Sequence, residues 1–103
     1  MPNSSKQKGS NFERELVNEA RGLGIKAERA YASNGHALGE VKEVDVLIGG
    51  VRIQAKRRKA LAKFLKIPEG VDLVVFREDR GDTYALVRWK DILQMIQKEE
   101  ICT

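Results

Sequence analysis

Two glycines at positions 49 and 50, each flanked by a run of aliphatic residues, constrain the fold of this 103-residue chain more than any other feature. Adjacent glycines between two such runs are typical of a β-hairpin with a two-residue turn, because both turn positions need a positive φ. A turn of this kind pairs Ile48 with Val51 and thereby sets the register of both strands. The sequence therefore predicts an antiparallel hairpin within residues 43–58.

The predicted register would gather four polar side chains on one face of the hairpin. Asp45 would lie opposite Gln54, and Glu43 opposite Lys56, because alternate residues of a strand share a face. The other face would be apolar, with Val44, Val46, Ile53 and Ala55. Carboxylate, amide and ammonium groups placed this close together predict a site for a metal ion and a phosphate. The alternative is an ordinary hairpin with a cross-strand ion pair between Glu43 and Lys56.

The segment before the hairpin predicts a flexible arm, a helix and a strand. Residues 1–9 form the expected arm, and Ser10 with Glu13 matches a capping box at the start of a helix. The helical spacing of apolar side chains continues through Phe12, Leu16, Ala20 and Leu23. Gly22 and Gly24 are expected to end the helix. Residues 25–31 predict the first strand, and a loop follows to about residue 42.

The segment after the hairpin predicts a helix at 57–66, strands at 71–76 and 83–88 with a turn at 79–82, and a closing helix. The inward side of the helix at 57–66 would carry Ala60, Leu61, Phe64 and Leu65. Residues 71–76 are almost continuously apolar, as expected for a strand covered on both faces. The closing amphipathic helix is marked by Trp89, Ile92, Leu93 and Ile96. The resulting order, αβββαββα, predicts an α/β fold with a mixed central sheet and flanking helices in a single domain at 10–103.

Length and composition limit the classes of protein that fit this chain. A chain of 103 residues with 42% apolar content supports one small domain with a modest core. Its apolar runs are all shorter than the ~20 residues of a membrane span, so no membrane partner is expected. Cys102 stands alone and cannot form an internal disulfide, which fits a reducing cytoplasm, or the host cytoplasm if the protein is viral.

Positive charge is concentrated near the hairpin, although the net charge is only +4. Residues 52–66 contain no acid, and their basic residues are Arg52, Lys56, Arg57, Arg58, Lys59, Lys63 and Lys66. Lys6 and Lys8 add a second basic stretch. Clustered positive charge is typical of surfaces that bind a phosphate backbone, and its proximity to the hairpin favours nucleic acid. The alternative is a solvated helix face.

The hairpin resembles the core of the PD-(D/E)XK nuclease superfamily, which carries an acid on one strand and an acid-x-Lys on the next. The matching positions are Asp45 and the run Gln54-Ala55-Lys56. Val44 replaces the usual proline and Gln54 replaces the usual acid, a Gln-x-Lys version that resembles Mrr-type restriction endonucleases. The resemblance implies a restriction-endonuclease-like αβββαβ core, whose first helix carries a further acid. Glu13 fits that place, because it shares a helical side with Val17 and Ala20 and can point toward the sheet, although a capping box and the helix dipole also favour Glu there.

Two further patches resemble archaeal-type Holliday junction resolvases. Residues 8–16, Lys-Gly-Ser-Asn-Phe-Glu-Arg-Glu-Leu, are similar to the opening of that family, and residues 29–33 are similar to its Arg and Ser ahead of the metal-binding Asp. With the hairpin, three patches match in order over about residues 8–58. The implied activity is metal-dependent, structure-selective cleavage of phosphodiesters at four-way DNA junctions.

The resemblance also implies roles for individual residues. Its expected ligands for Mg²⁺, with Mn²⁺ as a substitute, are Glu13, Asp45, Gln54 and the backbone carbonyl of Ala55. The expected catalytic set is Glu13, Asp45, Gln54 and Lys56, in which the lysine orients or helps to deprotonate the attacking water. The expected DNA contacts are Lys6, Lys8, Arg14, Arg29, Ser33, Arg57, Arg58 and Lys59. Two symmetric cuts with one site per chain imply a homodimer.

Two other functions are also compatible with the sequence. The first is an Mrr-like or general DNA endonuclease, for which the Gln54-Ala55-Lys56 run is the supporting resemblance. The second is a catalytically silent DNA-binding protein that kept the fold after Gln54 replaced the acid. The presence of Glu13, Asp45 and Lys56 argues against the silent protein, because a lost function should erode more than one position.

Overall fold

The chain divides into two compact units, residues 1–57 with 95–103 and residues 58–94. The structure, a computed structural model, describes residues 5–30 and 39–99, so Ser33 and Cys102 lie outside the described residues. Within those ranges no helix is long and apolar enough to cross a membrane. The single domain at 10–103 and the cytoplasmic location stay predictions.

The first unit opens with α1, which spans Ser5–Gly22. Its buried side carries Leu16, Val17 and Ala20. The helix ends as expected, because Gly24 adopts a φ of +80° and the N–H of Ile25 donates to the carbonyl of Ala20 at 3.0 Å. The predicted start at Ser10 is wrong, and residues 5–9 of the expected arm are helical. Each residue added to an existing helix gains a hydrogen bond, so the capping signal at Ser10 does not stop the helix from extending.

Three strands form the sheet of the first unit: β1 (Ala27–Arg29), β2 (Val46–Ile48) and β3 (Val51–Ile53). They are antiparallel in the order β1-β2-β3, so β2 is central. Ile48 pairs with Val51 around the two glycines, which confirms the predicted turn and its register. The sheet buries Ala27, Val46 and Ile48 on one face.

The hairpin does not form the predicted polar face as a set of paired strand positions. The ladder between β2 and β3 ends at the pair Val46–Ile53, and the N–H of Asp45 donates to the carbonyl of Ile53 at 2.8 Å. Glu43 lies in a turn, which the N–H of Val44 closes on the carbonyl of Val41 at 3.1 Å. Asp45 is therefore buried, whereas Glu43, Gln54 and Lys56 are exposed. Strict alternation fails because the strands stop pairing before it reaches these positions.

The second unit begins with an irregular segment instead of the predicted helix at 57–66. The only helical turn described in this segment is a short 3-10 turn, Lys63–Leu65. Ala60, Leu61 and Phe64 are exposed and not inward-facing as expected. A helix of about ten residues is marginal without an apolar face packed against a partner, and adjacent positive charges oppose it further.

The second unit also contains a two-stranded antiparallel sheet, β4 (Leu73–Arg77) with β5 (Thr83–Val87). The predicted turn between the strands is confirmed. The prediction that the first of these strands is covered on both faces is wrong, because Leu73 and Val75 are 46% and 59% exposed. The ring of Phe76, on the opposite face, lies 5.8 Å from that of Phe64 and 5.9 Å from that of Tyr84.

The closing helix, α2, spans Trp89–Glu99 and confirms the predicted amphipathic helix. Leu93 and Ile96 are buried, and Trp89 and Ile92 are half-buried. The side-chain amide of Gln97 donates to the carbonyl of Leu23 at 2.9 Å, which ties the end of α2 to the end of α1. The described order is therefore αβββββα, in which the central helix of the predicted αβββαββα is missing.

The turn glycine Gly49 generates a prediction about stability. Its φ is +58°, and an added Cβ would lie 2.6 Å from Cγ2 of Ile96, a branched atom that cannot swing away freely. We expect Gly49→Ala to lower the free energy of unfolding by about 2–3 kcal/mol, from left-handed strain plus overpacking. Denaturant unfolding measures this change.

Gly24→Ala is the matched control. Gly24 has a similar φ of +80°, but no described atom lies within 4 Å of its added Cβ, so strain alone should cost about 1 kcal/mol. Equal losses in the two variants would contradict the close contact between the turn and Ile96.

Candidate metal centre

Two carboxylates are buried in the described part of the chain, and they are two of the acids that the sequence singles out. Glu13 is 4% exposed and Asp45 is 8% exposed. A buried carboxylate without a compensating charge or hydrogen bond is strongly unfavourable, so each must be held by specific partners. Those partners define the candidate site.

Glu13 reaches the site from α1. It lies on the same side of the helix as the buried Val17 and Ala20, as the sequence predicts. Nε of Arg29 donates to Oε1 of Glu13 at 3.0 Å, and Nη2 of Arg29 donates to Oγ of Ser10 at 3.0 Å. Arg29 ends β1 two residues after the buried Ala27, which places its side chain on the face that α1 covers. Helix and strand are therefore joined by a part-buried ion pair.

Asp45 reaches the site from the residue that precedes β2. Its Oδ2 accepts a hydrogen bond from the backbone N–H of Ala55 at 2.7 Å. Its backbone carbonyl accepts from the N–H of Ala30 at 2.8 Å. These bonds hold Asp45 between the ends of β1 and β3. They also hold Ala55, the middle residue of the Gln-x-Lys run, against the Asp45 carboxylate.

Consecutive residues of β1 and its extension link the two acids through their contacts. Arg29 pairs with the Glu13 side chain, and Ala30 pairs with the Asp45 backbone. Hydrogen bonds and an ion pair thus run from α1 through the end of β1 to Asp45 and then to Ala55. Four segments that are distant in sequence meet at this place.

The oxygen atoms present suit a hard divalent cation. Mg²⁺ prefers oxygen ligands and is usually held by one or two carboxylates, with waters completing its coordination. Residues 5–30 and 39–99 contain no group of three or more His, Cys, Asp or Glu side chains that could hold a metal ion. Gln54 is neutral and stands at the position where an acid is usual, which is consistent with this result. The donors fit a site with two carboxylates supplemented by neutral oxygens.

The remaining predicted residues that the structure describes are mostly exposed. Gln54 and Lys56 are exposed on either side of Ala55, and Lys8 and Lys59 are exposed as well. Arg14 is exposed on α1, where its Nη1 donates to Oδ1 of Asn11 at 3.3 Å. Arg57 and Arg58 are also exposed. The side chain of Lys6 lies outside the described residues.

Sequence reasoning missed the contact that joins Ser10, Arg29 and Glu13. It assigned Arg29 to a DNA phosphate and Ser10 to the start of the helix, yet both contribute to holding Glu13. A usable signal exists: an acid on the apolar side of a helix and a base on the apolar face of the next strand. An acid and a base that share a buried interface are expected to pair.

Comparison with known proteins gives one family. The model of a family described as archaeal Holliday junction resolvase matches residues 4–101. No curated protein and no solved structure matches the chain.

Proposed function

The chain belongs to the archaeal Holliday junction resolvase family, and from this premise we propose that Glu13 and Asp45 form its catalytic metal centre. Family membership makes the chain a Holliday junction resolvase, an endonuclease of DNA recombination and repair. Nucleases of this family typically use a divalent metal ion. The observation that carries the proposal is the burial of both carboxylates, since a buried acid pair has a clear use as metal ligands.

Each residue of the proposed centre has a separate task. Glu13 and Asp45 supply negatively charged oxygens, and the Gln54 side chain and the Ala55 carbonyl supply neutral ones. These oxygens would hold a Mg²⁺ or Mn²⁺ ion, which would supply Lewis-acid polarisation of the phosphate and activation of water. The ammonium of Lys56 orients the attacking water, assists its deprotonation and offsets negative charge that develops on the phosphate oxygens. The N–H of Ala55 donates to the Asp45 carboxylate, so Lys56 directly follows a residue that contacts this acid.

The neutral Gln54 sets the strength of the proposed centre. Replacing the usual acid by an amide removes one negative charge, so we infer weaker metal affinity and one tightly held ion instead of two. The absence of a three-acid cluster among the described residues supports this inference. The protein should therefore need more Mg²⁺ than a relative with three acids.

DNA binding is proposed to rest on positive charge outside the metal centre. Arg14, Arg29 and Ser33 would contact phosphates near the cut, with Lys6, Lys8, Arg57, Arg58 and Lys59 along the flanks. The exposure of Lys8, Arg14 and Lys59 supports this assignment. Contacts to phosphates hold a DNA backbone in place but do not read its sequence, which suits an enzyme that selects a branched shape.

Two finer features of the proposal rest on the family. The first is the restriction-endonuclease-like mixed central sheet, for which the α1-β1-β2-β3 order of the first unit is the supporting observation. The second is a two-fold homodimer, because one centre per chain must make two symmetric cuts. Met95 is a candidate interface residue, and its 48% exposure supports its place there, whereas the half-buried Trp89 is better assigned to the core.

The family match favours the junction resolvase over the other two functions considered. An Mrr-like or general endonuclease rests on the short Gln54-Ala55-Lys56 run alone, whereas the family match covers residues 4–101. A catalytically silent protein would have no reason to keep two carboxylates buried at the cost of their desolvation.

Asp45→Asn tests the proposed centre. The change keeps the shape of the side chain and an oxygen for the Ala55 N–H, but it removes the charge that attracts the metal ion. We expect junction cleavage to fall by at least about 10²-fold, in the range for loss of a key electrostatic group, while junction binding persists. Cleavage and gel-shift assays on the same preparation measure both effects.

Asp82→Asn is the control, since Asp82 is an exposed aspartate in the turn before β5. It should leave cleavage and binding unchanged. Normal cleavage by Asp45→Asn would remove Asp45 from the metal centre.

Gln54 is tested by its dependence on Mg²⁺. Gln54→Glu restores the usual acid, so we expect it to fold normally, to bind Mg²⁺ more tightly and to cleave at lower Mg²⁺. Gln54→Ala should raise the Mg²⁺ requirement without unfolding the hairpin, because the side chain is exposed. Cleavage is titrated against Mg²⁺ for the three proteins. A folded Gln54→Glu protein that needs more Mg²⁺ than the wild type would contradict the ligand role.

The basic segment is tested by the salt dependence of binding. Charge reversal of Arg57 and Arg58 to Glu should weaken junction binding and reduce the slope of log affinity against log salt by roughly one unit per lost phosphate contact. The measurement is made between about 50 and 200 mM salt. Reversal of Lys90 and Lys98, exposed lysines of α2, makes the same change in net charge and is the control. Equal slopes in the two variants would make residues 57–58 a solvated surface.

A further inference from the structure

Arg29 forms an ion pair with Glu13, one of the proposed metal ligands. Its guanidinium binds Oε1 of Glu13 at 3.0 Å, and the Glu13 side chain is only 6% exposed. We propose that Arg29 is an internal counter-ion of Glu13 in the metal-free protein, and that a divalent cation competes with Arg29 for this carboxylate. The inference rests on the metal centre proposed above and describes how access to it is regulated.

The geometry of Arg29 suits a side chain that exchanges partners. One nitrogen, Nε, binds Glu13, while Nη2 binds the hydroxyl of Ser10. The Arg29–Glu13 ion pair is therefore not bidentate, and a bidentate pair would be the stronger arrangement. The Arg29 side chain is 21% exposed, so it borders solvent while Glu13 does not. Loss of the Glu13 contact leaves the guanidinium next to Ser10 and near water.

Arg29 and a divalent cation would compete for the Glu13 carboxylate because both carry positive charge. A buried carboxylate needs an opposite charge, and in the metal-free protein Arg29 provides it. A divalent cation bound to the same carboxylate is repelled by the guanidinium at short range in a partly buried site, where charges interact more strongly than in water. Displacement would leave the guanidinium available to a DNA phosphate, which is the role proposed for Arg29 above. The observed pair and the proposed phosphate contact are then two positions of one side chain.

Competition has a consequence that a purely structural role lacks. If Arg29 opposes the cation, removing Arg29 must tighten cation binding, because coupling between two ligands of one group is reciprocal. If Arg29 only holds Glu13 in place, removing it must loosen Glu13 and weaken cation binding. The sign of the change in affinity therefore separates the two roles.

The experiment is a Mn²⁺ titration of the full chain without DNA, followed by electron paramagnetic resonance of the free ion. We expect Arg29→Gln to bind Mn²⁺ on the order of tenfold more tightly than the wild type, within the usual range of coupling between sites. Mn²⁺ should also raise the melting temperature of Arg29→Gln by more than it raises that of the wild type.

Arg14→Gln is the matched control. Like Arg29→Gln, it removes one positive charge, here at the α1 residue that follows Glu13. Arg14 is exposed, and its side chain binds Asn11 instead of Glu13. Its Mn²⁺ affinity should stay near that of the wild type. Equal or weaker Mn²⁺ binding by Arg29→Gln, or the same gain in Arg14→Gln, would overturn the proposal.

If Arg29→Gln does not fold, Ser10→Ala tests whether Arg29 competes with the cation for Glu13. It removes the second anchor of the guanidinium and leaves both charges in place, so it should tighten Mn²⁺ binding by a smaller factor in the same direction. Unchanged or weaker binding would count against the proposal.

Glu13→Gln, measured in the same way, separates the inference from the function on which it rests. Loss of Mn²⁺ binding in Glu13→Gln, with no gain in Arg29→Gln, would refute the counter-ion and keep the metal centre. Unaltered Mn²⁺ binding in Glu13→Gln would refute both.

Discussion

The burial of Glu13 and Asp45 is the constraint on which the rest of the site depends. Desolvating two acids is costly, and the protein offsets that cost with an arginine for one and a backbone N–H for the other. These two contacts dictate where α1, β1 and the segment after β3 must lie. A domain this small has little stability to spare, and the metal centre proposed above gives the burial of both acids a functional reason.

The same contacts bear on how the proposed centre would work with few acids. Gln54 would leave that centre with one negative charge fewer than the usual pattern, so the positions of the remaining donors would matter more. Ala55 holds the Gln-x-Lys segment to Asp45 through its N–H, and this bond does not depend on the identity of residue 54. The contact that positions the Gln-x-Lys segment is thus separate from the charge of residue 54. The Glu13–Arg29 pair places a positive charge beside one of the proposed ligands.

Local patterns predicted the turns, the paired strands and the closing helix, and they failed where distant packing partners decide the structure. The hairpin turn, the pairing of Ile48 with Val51 and the helical side shared by Glu13, Val17 and Ala20 follow from backbone rules that act over a few residues. The helix at 57–66 and the doubly covered strand near Leu73 required packing partners, which no local pattern reveals. The Arg29–Glu13 pair was missed because its members are far apart in sequence. The predicted polar face failed because it extended strand alternation past the last ladder pair, Val46–Ile53.

The central claim is that these buried carboxylates serve metal-dependent cleavage of a branched DNA. The most direct test incubates the wild-type protein with a four-way junction and with a linear duplex of the same arm sequence, each with Mg²⁺ and with chelator. The account predicts cleavage of the junction in Mg²⁺, none in chelator, and little or none of the duplex. A junction that is bound but left intact at saturating Mg²⁺ and Mn²⁺ would contradict it, as would cleavage that persists in chelator.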